Sequence, residues 1–148
     1  MRKISEGKSF YIMFDVLDGG ILETIELSPE NLKPNKSIIL LDEERQTVWL
    51  WHGKARGLVS RRTALRQAQS LKGHGFQTGN AIVGRDLRHI REIDDRKVGR
   101  VPEDTEASEE FLALLNKSFK SIGNKVFTIS SGEPTETPKP EPKAPEQP

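Results

Sequence analysis

Thr47-Val48-Trp49-Leu50-Trp51-His52-Gly53-Lys54 runs, after a short loop, into Leu58-Val59-Ser60-Arg61-Arg62-Thr63-Ala64-Leu65-Arg66-Gln67-Ala68-Gln69-Ser70-Leu71-Lys72. Val48, Trp49, Leu50 and Trp51 are four consecutive strand formers or large apolar residues, so neither face of that strand is polar and both must be covered. In the second half Ala64, Leu65, Ala68 and Leu71 recur at three- and four-residue spacing, the signature of a helix with one buried face. Its other face carries arginine, glutamine and serine. A central strand therefore feeds a long amphipathic helix, expected over 58–72 and stopped at Gly73-His74-Gly75.

Upstream, Ser9 to Leu17 is a dense run of strand formers, and Asp18-Gly19-Gly20 turns it into a second strand over 21–27. Ser28-Pro29 starts a helix that Pro34 stops after about one turn. Ser37 to Leu41 reads as the third strand. Downstream, Thr78 to Val83 reads as one weak strand, and Leu87 to Ile93 fits helical or strand spacing, with strand preferred. Ser108 to Ile122 reads as a second amphipathic helix, apolar at Phe111, Leu114, Leu115, Phe119 and Ile122, capped by Ser108 and ending in Lys117 and Lys120. Val126 to Ile129 adds a short strand. Residues 1–8 form an extension, 9–130 a domain, and 131–148, with six of the nine prolines, an extended tail without a core.

At 148 residues the chain suits one domain with a real core. No apolar run approaches the ~20 residues that span a bilayer, so membrane insertion is not expected. The N-terminus lacks an apolar secretory core and the chain has no cysteine, which together point to the cytoplasm. The net charge of +1 hides an uneven distribution, because residues 51–100 hold twelve basic side chains against four acidic ones. That local excess of +8 favours an anionic partner surface.

The stretch Ser37-Ile38-Ile39-Leu40-Leu41-Asp42 through Val48-Trp49-Leu50-Trp51-His52-Gly53-Lys54 resembles the repeated segment of the gelsolin, villin and severin family. The helix around Arg61-Arg62-Thr63-Ala64-Leu65-Arg66-Gln67-Ala68 and the acidic approach to Glu110-Phe111 continue the match over residues 9 to 122. The resemblance implies an α+β gelsolin-like fold, a central mixed sheet of five or six strands between one long and one shorter helix. It also implies a non-catalytic module that binds actin or an actin-like protein. A single such domain is expected to bind monomers or cap rather than sever, since severing needs linked segments gripping a filament at several points.

The family's calcium site pairs an aspartate entering the third strand with a glutamate early in the long helix. Lys36, Ser37, Ser60 and Arg61 stand at those positions here. Calcium needs six to eight oxygen ligands including carboxylates, so calcium-independent behaviour is expected and no cofactor is called for.

Lys54, Arg56, Arg61, Arg62, Arg66 and Gln69 are the candidate partner-binding residues, with a plain solvated helix face as the competing reading. Three arginines at ~1 kcal/mol each against an anionic membrane give about 3 kcal/mol, short of the ~4 kcal/mol of a millimolar complex. Charge alone does not make this a specific site. A gelsolin-like adaptor domain of a larger complex, as in vesicle coats, is one alternative. Weak binding of anionic lipid or nucleic acid is another, with nucleic acid the less favoured. The segment Pro138 to Lys143 is a candidate ligand for a polyproline-recognising partner.

Trp49 and Trp51 belong to the core on this reading. His52, His74 and His89 are too scattered for a metal set. No nucleotide cradle or catalytic constellation is legible.

Overall fold

The computed structural model describes residues 9–123 and 125–129; the expected tail and the extension 1–8 lie outside the described residues. In chain order the elements are β1 (Phe10–Val16), β2 (Leu22–Ile25), β3 (Ser37–Asp42), β4 (Thr47–His52), α1 (Leu58–His74), β5 (Phe76–Thr78), β6 (Ala81–Val83), β7 (His89–Asp94), α2 (Pro102–Leu115), β8 (Phe119–Ser121) and β9 (Phe127–Ile129). Seven strands form one mixed sheet in the order β7-β4-β3-β1-β9-β8, with β2 paired to β1 alongside β9, while β5 and β6 form a separate hairpin. All pairs are antiparallel except β4 and β7, where Trp51 lies opposite Ile93. A parallel pair needs a crossover, and α1 with its hairpin supplies it.

Side-chain alternation then sorts the core into two layers. Ile12, Phe14, Ile39, Leu41, Val48 and Leu50 pack beneath Ala64, Ala68 and Leu71 of α1. Tyr11, Met13, Ile38, Leu40, Trp49 and Trp51 pack on the opposite side against Ala107, Phe111, Leu114 and Leu115 of α2. The two tryptophans are core residues on a doubly covered strand, as their sequence context requires.

Several elements differ from expectation. The second helix begins at Pro102, whose fixed φ suits a first helical position, and Glu103 and Asp104 in its first turn interact favourably with the positive end of the helix dipole. Ser108 is consequently a buried mid-helix residue and not a cap. The helix ends at Leu115, with Lys117 and Lys120 beyond it. Phe119, expected on its apolar face, instead lies in β8 opposite Ile129 and edge-on to Tyr11, ring centroids 5.2 Å apart. That conversion of helix into strand accounts for β8 and brings the sheet to seven strands. The weak strand over 78–83 is a hairpin turning at Gly79, whose φ of 61° is open to glycine. Leu65 is only half-buried.

Other local expectations hold. One 3-10 turn spans Pro29–Asn31, and the Ser28 Oγ accepts from the Glu30 amide at 3.1 Å. Residues 89–94 are strand. α1 closes on Gly75, with φ of 73° and its amide donating to the Leu71 carbonyl at 2.7 Å.

Candidate partner-binding face

The position of α1 is set by the loop that precedes it. The Gly53 amide donates to the Lys36 carbonyl at 2.9 Å and the Ala55 amide to that of Pro34 at 2.8 Å. The Arg56 guanidinium reaches the Ser37 Oγ at 3.1 Å, the Asn35 carbonyl at 3.3 Å and the Val16 carbonyl at 2.9 Å. Arg56 is therefore a brace between β1, β3 and the helix entrance.

Arg61 also turns inward. Its guanidinium lies 3.5 Å from the Asp94 carboxylate with the side chain 22% exposed. The other residues singled out from sequence, Lys54, Arg62, Arg66 and Gln69, are exposed. The structure thus divides the six candidates into two structural arginines and four surface residues.

Two further residues belong to the surface set. Leu58 is 52% exposed and Val59 78%, extending the outer stripe of Arg62, Arg66 and Gln69 to the start of the helix. Ile21 is 63% exposed as well. A groove beside the helix entrance is lined by Leu17, Asp18, Gly19, Arg56, Val59, Ser60 and Thr63. The signal for Leu58 and Val59 was present in the sequence, since both fall out of phase with Ala64, Ala68 and Leu71.

Beneath this face lies a polar chain, buried at Ser37 and His52 and open at Glu92, that no sequence motif announced. The His52 Nε2 is 2.8 Å from Glu92, and its Nδ1 is 3.0 Å from the Ser37 Oγ. With Nε2–H donating to the carboxylate, Nδ1 accepts from the serine hydroxyl, whose oxygen accepts in turn from Arg56. Serine, histidine and glutamate in a row have the outline of a hydrolytic triad. Ser37 and His52 are both fully buried, however, and the serine oxygen already accepts a hydrogen bond from the Arg56 guanidinium. Such a hydroxyl is not an activated nucleophile that a substrate can reach. The chain ties β7, β4 and β3 to the helix entrance.

The positions implied for calcium do not fit the ion. The Lys36 Nζ lies 2.6 Å from Asp15, Ser37 is committed to His52 and Arg56, Ser60 lines the groove, and Arg61 faces Asp94. Two cations already engage the carboxylates there. Among the described residues no group of three or more histidine, cysteine or carboxylate side chains is placed to hold a metal.

Two carboxylates in this region have lowered pKa values. The hydrogen bond from His52 holds Glu92 below the usual range, against the opposing effect of burial. Burial pushes Asp94 upward, but the Arg96 side-chain and backbone donors with the charges of Arg96 and Arg61 outweigh it and leave the group lowered. A carboxylate whose folded pKa is depressed contributes stability above its unfolded value and loses it as pH falls through the folded value. Asp94→Asn is therefore expected to cost about 1.5–3 kcal/mol at neutral pH, the scale of hydrogen bonds to charged groups. The difference from wild type should shrink towards zero under acid, in urea titrations repeated down the pH scale. An undiminished difference in acid would contradict the assignment.

No protein-family model matches the sequence, and no curated protein matches it. Among solved structures the chain is similar to Thorarchaeota ProGel, crystallised in a complex with rabbit actin. The identity is 20% and the TM-score 0.54, covering 72% of this chain and 99% of that one. It is also similar to Thorarchaeota 2DGel3, again crystallised with rabbit actin, at 17% identity and a TM-score of 0.45, covering 66% of this chain and 44% of that one. With its mixed sheet between a long and a shorter helix, the chain has a gelsolin-like fold.

Proposed function

We propose that this chain is a non-catalytic, calcium-independent module that binds an actin-type protein through the outer face of α1, by monomer binding or capping, in the cytoplasm. The observation that carries the reading is the exposed pair Leu58 and Val59 at the head of a stripe continued by Arg62, Arg66 and Gln69. The arginines alone fall short of a specific complex. With Arg61 held by Asp94, the two exposed arginines supply about 2 kcal/mol and covering one valine or leucine adds about 1.5–3 kcal/mol, which brings the sum to the ~4 kcal/mol of millimolar binding. The fold neighbour crystallised with actin supplies the kind of partner. Calcium independence is supported by the pairing of Lys36 with Asp15 and of Arg61 with Asp94.

The test is binding to monomeric actin at physiological salt, with calcium and with chelator. Wild type should bind equally in both. Val59→Asp combined with R62A and R66A should weaken binding at least ~10-fold, or about 1.4 kcal/mol. A folded wild type that binds actin in neither condition would remove this reading and leave the adaptor role. Equal binding by wild type and the triple variant would move the contact off α1.

A further inference from the structure

The two helices lie on opposite faces of the sheet and carry opposite charge. α1 holds Arg61, Arg62, Arg66 and Lys72 and no carboxylate, whereas α2 holds Glu103, Asp104, Glu106, Glu109 and Glu110 and no lysine or arginine. Within the chain Arg61 is taken up by Asp94 and Glu110 by Arg91. Arg62, Arg66, Glu106 and Glu109 are exposed, and none of them stands in an ion pair among the described residues.

The order of residues along the two outer faces is also matched. From the N-terminal end of α1 the exposed stripe reads Val59, Arg62, Arg66, an aliphatic side chain followed by two cations. From the C-terminal end of α2 the exposed stripe reads Ala113 with Leu112, then Glu110 with Glu109, then Glu106. Both sequences run apolar to charged, with the same steps of three and four residues. Each spans seven residue steps, roughly 10.5 Å at ~1.5 Å per step. Laid antiparallel, the helices bring Val59 against Ala113 and Leu112, Arg62 against Glu109, and Arg66 against Glu106. Leu112 is 40% exposed, so an apolar contact is available at the head of the register.

We infer that the α1 face of one copy of this chain docks on the α2 face of a second copy. The interface is heterologous, joining two different surfaces, so a docked pair still presents one free face of each sign, α1 on one copy and α2 on the other. Association therefore propagates head to tail instead of stopping at a closed dimer. The antiparallel arrangement also sets the helix dipoles in the favourable sense. The inference stands whether or not actin is the partner of α1. If it is, a second copy and actin compete for the same residues.

Sedimentation velocity on the full chain tests this, with R62E/R66E and E106K/E109K as variants and thermal unfolding as the check that each is folded. Wild type should show a sedimentation coefficient that rises over about 10 to 500 μM, as mass action requires. The rise should be present near 0.01 M salt, where charges act over ~30 Å, and absent near 1 M, where they act over ~3 Å. Each variant alone has two faces of like sign and should stay monomeric. Mixed in equal amounts the two variants offer opposite signs and should associate again, a rescue that a merely misfolded variant cannot give. A wild type that stays monomeric at low salt overturns the inference. So does a mixture that sediments as the sum of its parts, or a variant that associates alone as wild type does.

Discussion

Phe111→Ala is expected to lower the unfolding free energy by about 3–5 kcal/mol, the range for deleting a buried aromatic ring. The side chain is fully buried at the centre of the α2 layer, and its ring lies 5.5 Å from that of Trp49 at an interplanar angle of 32°. Trp49 is itself pinned, because its Nε1 donates to the buried Asp42 carboxylate at 3.0 Å and Arg91 sits 4.8 Å over its ring. The neighbours therefore cannot relax into the space that the phenyl group leaves, which places the cost high in its range. Against a typical total of 5–15 kcal/mol the loss is a large fraction of the stability. Urea unfolding at neutral pH should show a lower midpoint with an unchanged slope. Leu65→Ala is the comparison: half-buried, it should cost about 1 kcal/mol. Equal costs for the two would mean that α2 is not held on the sheet as described.

Gly53→Ala is expected to destabilise by about 3 kcal/mol or more although it adds a single methyl group. A Cβ at this position would collide with the backbone carbonyl oxygens of Lys33 and Pro34, which have no rotamer to change. The two segments cannot simply part, because the Gly53 and Ala55 amides donate across the same contact. Overpacking alone costs about 1–3 kcal/mol, and each strained hydrogen bond adds about 1 kcal/mol. Since this contact fixes where α1 starts, the proposed binding of actin by α1 should weaken along with the thermal midpoint. A midpoint unchanged to within about a degree would show that the loop has another conformation open to it.

The elements legible in the sequence were those whose pattern is fixed by burial on known faces. β4 could be read because four apolar residues in a row admit only a doubly covered strand. α1 could be read because Ala64, Ala68 and Leu71 keep one phase and Gly75 ends the helix. The second helix was misplaced for a physical reason. Its first turn, Pro102-Glu103-Asp104-Thr105, is wholly without large apolar residues and resembles loop, while Phe119 stands in helical phase with Phe111 and Leu115 by coincidence. Only the register of β8 against β9 shows that Phe119 belongs to the sheet. The Gly79-Asn80 turn inside the expected fifth strand was legible in principle, since glycine followed by asparagine is a hairpin signal.

The candidate face was half legible. Basic residues on the outer side of α1 could be counted, but their partners lie far away in sequence. Arg61 meets Asp94 at the end of β7, and Arg56 meets Val16 forty residues earlier. No local pattern separates a buried guanidinium from an exposed one. Leu58 and Val59 were legible in principle, because the phase set by Ala64, Ala68 and Leu71 places both off the buried side of α1.

The pairing of β1 with β9 also bears on how the domain carries mechanical load. Phe10 lies opposite Thr128 and Tyr11 opposite Phe127, and the Thr128 hydroxyl donates to the Ser9 carbonyl at 3.0 Å. The strands are antiparallel, so residue 9 and the chain beyond residue 129 leave from the same end of this short ladder. Tension applied through those two ends opens its rungs one after another instead of loading them together in shear. Force transmitted through such a domain would peel the β8–β9 hairpin away from β1 first. The central sheet from β1 to β7, and α1 with it, would stay assembled under loads that had already released the last strands.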